Sequence, residues 1–402
     1  MKRFLFYIFM FGLTVIVCFV ILEFAVARFY YFDVHGVKDY VHDDEIGWCL
    51  KPGTYHVKAP NRYRKHTVTI NEYGFRGTEI TPERRDGVTR IIILGDSFTY
   101  GQINSQDEIF PSKLEDLLND GEDEHAFEVL NAGVMGYGNA QEWLLMKRLA
   151  DSGIIGDIYL VMLFTNDILD NMHLRYADLS ENSYQPGYSL DDDGQIVLEH
   201  PVRERRPEEK NPSRETTRKP IRARLTRVLK IRIESFLQTK PGWIRGLNRI
   251  GFDVEFPRIP GLLNAWYHDD ILEMGVPLMK ALLHEMRDEA TRRDAMLLVS
   301  LIPSQIQIYS EVYGPMLERT FTDDELIDRF MSDQQRPQRI VQSMCDELGI
   351  PFLDLYPILH GNNDRSFYIP REGHFNANGH DIVARSLAEF IRDHISAIEG
   401  SQ

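Results

Sequence analysis

A serine directly after a short apolar run is the first residue of this chain that could do chemistry. Ser97 closes the tripeptide Gly-Asp-Ser that follows the apolar run 91–94. A serine on a strand-to-helix turn can present its hydroxyl as a nucleophile when a base takes its proton. His374, near the end of the chain, suits that role because an imidazole titrates near neutral pH. With His374 as the base, the hydroxyl of Ser97 could therefore attack a carbonyl group.

Two further polar loops lie between these residues in the chain. Gly136 ends the segment 131–136, and Asn166 lies in a Thr-Asn-Asp tripeptide directly after the apolar run 158–164. An attacked carbonyl becomes an oxyanion, which needs hydrogen-bond donors aimed at it. Suitable donors are the backbone N–H groups of Ser97 and Gly136 and the side-chain amide of Asn166. The set predicts an oxyanion hole beside the nucleophile.

Each residue taken alone also has a plain structural interpretation. A Gly-Asp-Ser tripeptide is a common turn, and His374 could cap the helix predicted to follow it. The ordered set is much rarer than its members, and as a set it resembles the SGNH/GDSL hydrolase family, whose four sequence blocks supply a serine, a glycine, an asparagine and a histidine. The resemblance implies that Ser97 is the nucleophile, that Gly136 and Asn166 supply oxyanion-hole donors, and that His374 is the base.

The third catalytic position departs from the family pattern. The family usually has an aspartate two residues before the histidine, where this chain has Glu372. A glutamate orients the histidine in related triads, so the resemblance implies a Ser-His-Glu site. A backbone carbonyl could orient the ring of His374 instead, which would leave a Ser-His dyad.

Composition and spacing exclude several other kinds of site. The net charge of −16 argues against nucleic acid as a partner, because a phosphate backbone is bound through positive surface. The thirteen histidines lack close ligand pairs, and His374 and His380 are six residues apart, a spacing that does not place them on one helical face. We therefore expect no metal and no cofactor.

Apolar runs that alternate with amphipathic stretches are predicted to position these loops. The predicted buried strands are 90–94, 127–132, 158–164, 295–303 and 351–355, and the predicted helices include 142–150, 276–293 and 338–348. This pattern predicts a three-layer α/β/α fold with a central, mostly parallel five-stranded sheet, and the resemblance implies the flavodoxin-like SGNH arrangement. The loops that follow the strands should gather at the carboxyl edge of the sheet.

Before this domain, which we place at residues 90–400, two other segments are predicted. The apolar stretch 4–22 is long enough to span a bilayer, so residues 1–30 are predicted to be a signal anchor, with a cleaved signal peptide and a secreted protein as the alternative. Lys2 and Arg3 would keep the N-terminus in the cytoplasm and place the rest periplasmic or extracellular. Residues 31–89 are predicted to be a strand-rich extension that packs over the domain.

A basic insertion at about 174–265 interrupts the alternation of strands and helices. It opens with a predicted hairpin around 191–194, and residues 203–249 then hold fifteen Lys and Arg against five Glu, a net charge of +10. A predicted amphipathic helix at 225–237 could contact an anionic membrane or glycan, cover the site as a lid, or pack on the acidic body of the protein. We expect the cysteines to be thiols, although Cys49 and Cys345 are available for a disulfide.

The function predicted from these features is that of a membrane-anchored serine esterase. It would form an acyl-enzyme on Ser97 and hydrolyse an ester, with the resemblance implying a short acyl group on a glycan or similar surface molecule. One alternative keeps the same site and makes the protein an O-acyltransferase of a cell-surface polysaccharide. The other is a non-catalytic glycan-binding or assembly component, since a fold alone does not determine function.

Overall fold

The computed structural model describes most of the predicted hydrolase domain and much of the segment before it. The described residues are part of 3–21, then 31–32, 40–57, 66–120, 126–172, 185–202, 221–222, 265–320, 324–362, 365–369 and 373–399. The chain forms two compact units. One comprises residues 1–38, 58–65 and 213–256, and the other comprises 39–57, 66–212 and 257–402.

Regular structure begins and ends as follows. The strands are β1 (Tyr31–Phe32), β2 (Tyr40–Asp43), β3 (Gly47–Leu50), β4 (Gly53–Val57), β5 (His66–Ile70), β6 (Val88–Gly95), β7 (Ala126–Gly133), β8 (Ile158–Phe164), β9 (Gly187–Leu190), β10 (Ile196–His200), β11 (Ile221–Arg222), β12 (Met296–Ile302) and β13 (Phe352–Asp354). The helices are α1 (Ser97–Tyr100), α2 (Phe110–Asn119), α3 (Asn139–Asp151), α4 (Asp167–Asn171), α5 (Asp269–Arg292), α6 (Gln305–Ile308), α7 (Ser310–Thr320), α8 (Asp324–Ser332), α9 (Arg336–Leu348), α10 (Tyr356–His360) and α11 (Ala377–Glu399).

The larger unit is built around a five-stranded sheet in which every pairing is parallel. The strand order is β13-β12-β8-β6-β7. The chain therefore leaves β6 for one neighbour, β7, and then crosses to the other side of β6 to form β8. This is the flavodoxin-like order, and in sheets of this order ligands bind at the carboxyl ends of the strands, where the order reverses.

Helices cover both faces of this sheet. On one face, α2 and α11 pack together, and their buried apolar side chains join alternate residues of β6, β8 and β12 in one core. On the other face, α5 contacts α3, α9 and β12. The strands are consequently buried on both sides, which explains their nearly continuous apolar sequences. The predicted α/β/α layers and parallel five-stranded sheet are confirmed.

Two antiparallel hairpins precede the sheet in the same unit. One pairs β2 with β3 and the other pairs β4 with β5. A third hairpin, β9 with β10, turns through Asp191 to Gly194, where the N–H of Gly194 donates to the carbonyl of Asp191 at 2.9 Å. This is the hairpin predicted at the start of the insertion. In the smaller unit, β1 pairs with β11.

Several predicted features fall outside the described residues. Most of the predicted anchor 1–30 lies outside them. The same holds for the basic segment 203–249, apart from residues 221–222, and thus for the predicted helix 225–237. Glu372 is outside them as well. Among the helices that are described, none is both long and apolar enough to cross a bilayer. The three cysteines are free thiols in the described part of the chain, with Cys345 buried and Cys49 half-buried.

Candidate active site

Ser97 is the first residue of helix α1, directly after the central strand β6. Asp96 caps this helix by accepting a hydrogen bond from the N–H of Phe98 at 2.8 Å. Strand β7 passes so close that a Cβ on Gly133 would lie 2.5 Å from the backbone nitrogen of Tyr100. A glycine is required there because a side chain would push α1 and its serine away from the sheet. The turn therefore holds a half-buried hydroxyl at the carboxyl edge.

The hydroxyl of Ser97 is hydrogen-bonded to the ring of His374. The distance between Ser97 Oγ and His374 Nε2 is 2.7 Å, although 277 residues separate the two in sequence. This is the contact that a nucleophile and its general base require. Ser97 Oγ also lies 3.4 Å from an oxygen of Asp96, a longer contact. The arrangement leaves His374 as the group placed to take the proton.

His374 is presented by a short antiparallel bridge between Tyr368 and Phe375. Its carbonyl accepts the N–H of Ile369 at 2.8 Å, and its ring lies 4.8 Å from the ring of Phe98. The cap of helix α11 is provided by Asn376, whose side-chain oxygen accepts the N–H of residue 378 at 2.9 Å. The interpretation of His374 as a helix cap is therefore wrong for this fold, since its ring faces the serine.

The loops that follow β7 and β8 lie on either side of Ser97. Gly95, at the end of β6, pairs in register with Gly133 of β7 and Met162 of β8. Gly136 and Asn166 follow these partners by three and four residues, so both are placed at the edge that carries Ser97. Gly136 has a φ of +80°, a conformation that favours glycine.

Two backbone amides at this edge are available as donors. Within the described part of the chain, the N–H groups of Ser97 and Gly136 have no acceptor. The first is expected, because the opening N–H groups of a helix have no partner inside it. Available N–H groups beside a nucleophile are what an oxyanion hole needs.

Asn166 is the third predicted donor, and the structure adds a partner for it. Its side-chain nitrogen donates to a carboxylate oxygen of Asp170, one turn further on. A primary amide carries two N–H bonds, so this contact uses one and leaves the other for a substrate. Asp170 thus holds the amide of Asn166 in place, across the i,i+4 spacing at which side chains on a helix meet.

Four buried carboxyl groups lie behind this edge, at Asp96, Glu142, Asp167 and Asp170. Burial, followed by the nearby carboxylates, raises the pKa of Glu142 to about 8. Burial and the charge of Glu142 raise the pKa of Asp167 well above its usual value. The side-chain nitrogen of Asn139 bridges the two, at 3.2 Å from Glu142 and 3.3 Å from Asp167.

Asp96 and Asp167 both accept hydrogen bonds from backbone N–H groups, and Asp96 also lies 3.4 Å from Ser97 Oγ. Asp167 accepts the N–H of Phe164 at 2.9 Å, as Asp96 does for Phe98. His380 is fully buried, and burial followed by neighbouring positive charge lowers its pKa to about 3. No cluster among the described residues could hold a metal ion.

Two residues of the N-terminal extension lie near the candidate site. The sequence predicted only that this extension packs over the domain. Trp48 lies against Gly136, with ring atom Cζ2 3.4 Å from the position a Cβ would take. The buried guanidinium of Arg76 donates to the carbonyls of Tyr100 and Gly101, each at 2.6 Å, and to that of Asn104 at 2.7 Å. The signal available in the sequence was that each of the two residues adjoins a glycine, Gly47 before Trp48 and Gly77 after Arg76.

Comparisons with known proteins give distant structural neighbours only. No family model matches the chain, and no curated protein matches it. It is similar to the acetyl xylan esterase AlAXEase (12% identity, 74% of this chain and 97% of that chain, TM-score 0.37) and to a lipolytic protein of the G-D-S-L family from Veillonella parvula DSM 2008 (13% identity, 75% and 97%, TM-score 0.36). It is also similar to TesA, with 11% identity, 76% and 99% coverage and a TM-score of 0.38. At such values the geometry of the site, and not the likeness, must support a function.

Proposed function

We propose that this protein is a serine esterase that acts through an acyl-enzyme on Ser97. The observation that carries the proposal is the 2.7 Å hydrogen bond between Ser97 Oγ and His374 Nε2, at a sheet edge where the N–H groups of Ser97 and Gly136 are available. A base-activated hydroxyl beside unpaired donors is the arrangement that acyl transfer from an ester needs. The resemblance in sequence to SGNH/GDSL hydrolases supports the same reaction.

The reaction follows from the positions of these groups. Ser97 Oγ attacks the ester carbonyl while His374 Nε2 takes its proton. The resulting oxyanion accepts hydrogen bonds from the N–H groups of Ser97 and Gly136 and from the side chain of Asn166. His374 then gives its proton to the departing alcohol, which leaves an acyl group on Ser97. A water molecule, deprotonated by His374, releases the acid and restores the hydroxyl.

We propose that Glu372 is the third member of the site and orients the ring of His374. The residue lies outside the described part of the chain, so this role rests on its position two residues before the histidine and on the family resemblance. A carboxylate at the second ring nitrogen would hold the tautomer in which Nε2 accepts the serine proton. It would also stabilise the imidazolium formed during attack.

We further propose that residues 1–30 anchor the enzyme to a membrane, with the catalytic unit periplasmic or extracellular. Described helical residues in this segment expose large apolar side chains, between 59% and 73% at Phe4, Phe6, Tyr7 and Phe11. Side chains of this kind are costly in water and are stabilised by a lipid environment. Such a location suits an acylated surface glycan as the substrate. It also suits a role of the basic segment 203–249 in contacting an anionic surface.

Labelling with a fluorophosphonate tests the nucleophile. The full chain, purified in detergent, should be labelled and should hydrolyse an activated acetyl ester. Ser97→Ala should lose both properties, while the exposed Ser343→Ala should keep both. A folded wild-type protein that takes no label and releases no acetate would favour a non-catalytic glycan-binding component instead.

The same preparation distinguishes hydrolysis from acyl transfer. With an acyl donor and an oligosaccharide present together, hydrolysis yields free acid, whereas transfer yields an acylated sugar. Free acid alone is the result expected for an esterase. An acylated sugar formed by the wild type and absent with Ser97→Ala would assign an O-acyltransferase that uses the same site.

A further inference from the structure

The β2–β3 hairpin lies against the loop that carries Gly136. The indole N–H of Trp48, on β3, donates to the backbone carbonyl of Met135 at 3.2 Å. The indole ring also lies beside Gly136, with its Cζ2 atom 3.4 Å from the position that a Cβ on this glycine would take. Trp48 therefore binds Met135 and lies beside Gly136, the two residues that form the Met135–Gly136 peptide.

That peptide group contains the N–H that would bind the oxyanion. The carbonyl of Met135 and the N–H of Gly136 belong to one planar unit, and the structure has no cis peptide bond among its described residues. In a trans peptide the carbonyl and the N–H point in opposite directions. Fixing the carbonyl on one side of the loop consequently fixes the direction of the N–H on the other side.

Glycine at position 136 makes an external restraint necessary. A glycine adopts positive and negative φ values with similar ease, so the loop sequence alone restricts this peptide weakly. A hydrogen bond from a neighbouring element removes that freedom. Trp48 is the residue that supplies it, since no described residue other than Trp48 donates to the Met135 carbonyl.

Trp48 is itself held firmly in place. The hydroxyl of Tyr137 donates to the carbonyl of Trp48, and the two rings meet edge to face at 5.7 Å. Beside them, Gln141 Nε2 donates to the carbonyl of Ile46 at 2.7 Å. Arg148 binds Asp43 beside the turn of the hairpin, at 3.0 Å between Nη2 and Oδ1. A donor fixed on both sides can orient a flexible loop.

We propose that Trp48 is a positioning residue of the active site, whose indole N–H orients the Met135–Gly136 peptide so that the Gly136 N–H faces the oxyanion. This inference rests on the proposed esterase function. It assigns the N-terminal extension a part in catalysis that goes beyond packing. Trp48 acts through Gly136 and is not itself a catalytic residue.

The test compares two tryptophan-to-phenylalanine variants. Trp48→Phe keeps an aromatic ring and removes the N–H, and Trp143→Phe makes the same change at an indole nitrogen that has no partner among the described residues. Active sites are counted by fluorophosphonate titration, and kcat and KM are measured for an activated ester. Because oxyanion donors act mainly in the transition state, Trp48→Phe should lower kcat per titrated site by roughly 10- to 100-fold with little change in KM.

Each outcome decides the inference. Trp143→Phe should match the wild type, and a Trp48→Phe variant that also matches it would overturn the positioning role. If Trp48→Phe does not fold, Tyr137→Phe loosens the indole without removing it, and an unchanged kcat in that variant would equally count against the role. A wild-type protein without label or activity would overturn the esterase proposal itself, which is a different result from an active enzyme indifferent to Trp48.

Discussion

The buried pair Glu142 and Asp167 makes stability depend on pH in a direction opposite to that of most surface carboxylates. Both side chains are inaccessible to solvent, and burial raises the pKa of each. Asn139 donates to both, and the carboxylates of Asp96 and Asp170 lie near enough to oppose a further negative charge. The folded protein therefore favours the protonated form of this pair at neutral pH.

The size and the pH range follow from the pKa of Glu142. Its value rises from 4.5 to about 8 on folding, so between these limits the folded chain holds a proton that the unfolded chain has released. The free energy of unfolding should fall as the pH rises through this window, by at most about 5 kcal/mol for this one group. The contribution is fully present below pH 4.5 and is lost above about pH 8. Asp167 acts in the same direction.

Glu142→Gln isolates the contribution, because glutamine resembles the protonated acid at every pH. Its carbonyl oxygen can still accept the hydrogen bond from Asn139. Thermal unfolding from pH 4 to pH 9 should show a shallower decline for Glu142→Gln than for the wild type, with the variant more stable at the alkaline end. The exposed Glu273→Gln on α5 is the matched control and should follow the wild type. Parallel curves for wild type and Glu142→Gln would refute the reasoning.

Two substitutions test the remaining parts of the site by steady-state kinetics. Asn166→Ala removes a predicted oxyanion donor and should lower kcat by roughly 10²- to 10³-fold with KM little changed, whereas an unaltered kcat would mean that the bond to Asp170 is the only role of its amide. Glu372→Ala should lower kcat without reducing the number of sites that a saturating fluorophosphonate labels, because an unoriented His374 is a poorer base. Full activity in Glu372→Ala would assign a Ser-His dyad.

The sheet could be predicted from the sequence because its strands are buried on both faces. The run 158–164 coincides with β8, and the other four predicted strands differ from the observed ones by at most a few residues at each end. Once five parallel strands are assigned, the loops that follow them must share one edge. That rule places Ser97, Gly136 and Asn166 near one another without any knowledge of side-chain contacts.

Helix boundaries were harder to predict where local signals conflicted with packing. The predicted helix 276–293 begins at Asp269 in the structure, seven residues earlier, and continues through Pro277. A proline usually indicates that a helix starts close by, because its missing N–H would have no partner in the first turn of a helix. Here Gly275 packs so tightly on Ile168 of α4 that a Cβ would lie 2.4 Å from its side chain. That tertiary contact, which the local sequence does not encode, accompanies the extra turns.

The supporting contacts of the site could not be predicted, since they depend on how the loops and helices fold at the edge of the sheet. Asp170 looks like an ordinary polar residue of a short helix until its oxygen is seen to hold Asn166. Glu142 lies in a stretch correctly predicted to be helical, but nothing in its neighbourhood indicates that three aspartates will surround it. Patterns in sequence report which face of an element is buried, and they do not report which buried polar groups will meet.

The N-terminal extension contacts the candidate site at two separate points, so the proposed catalytic unit includes part of this extension. Trp48 supplies a donor to the loop of Gly136, and Arg76 supplies three to the carbonyls that end and follow α1. A chain that began at residue 90 would lose all of these donors. Each carbonyl that then stayed buried without a partner would lower the free energy of unfolding by roughly 1–3 kcal/mol. Residues 39–57 and 66–89 lie in the same compact unit as the sheet. Helix α1 and the loop of Gly136 are therefore held from outside the sheet by a segment that precedes Ser97 and every other proposed catalytic residue in the chain.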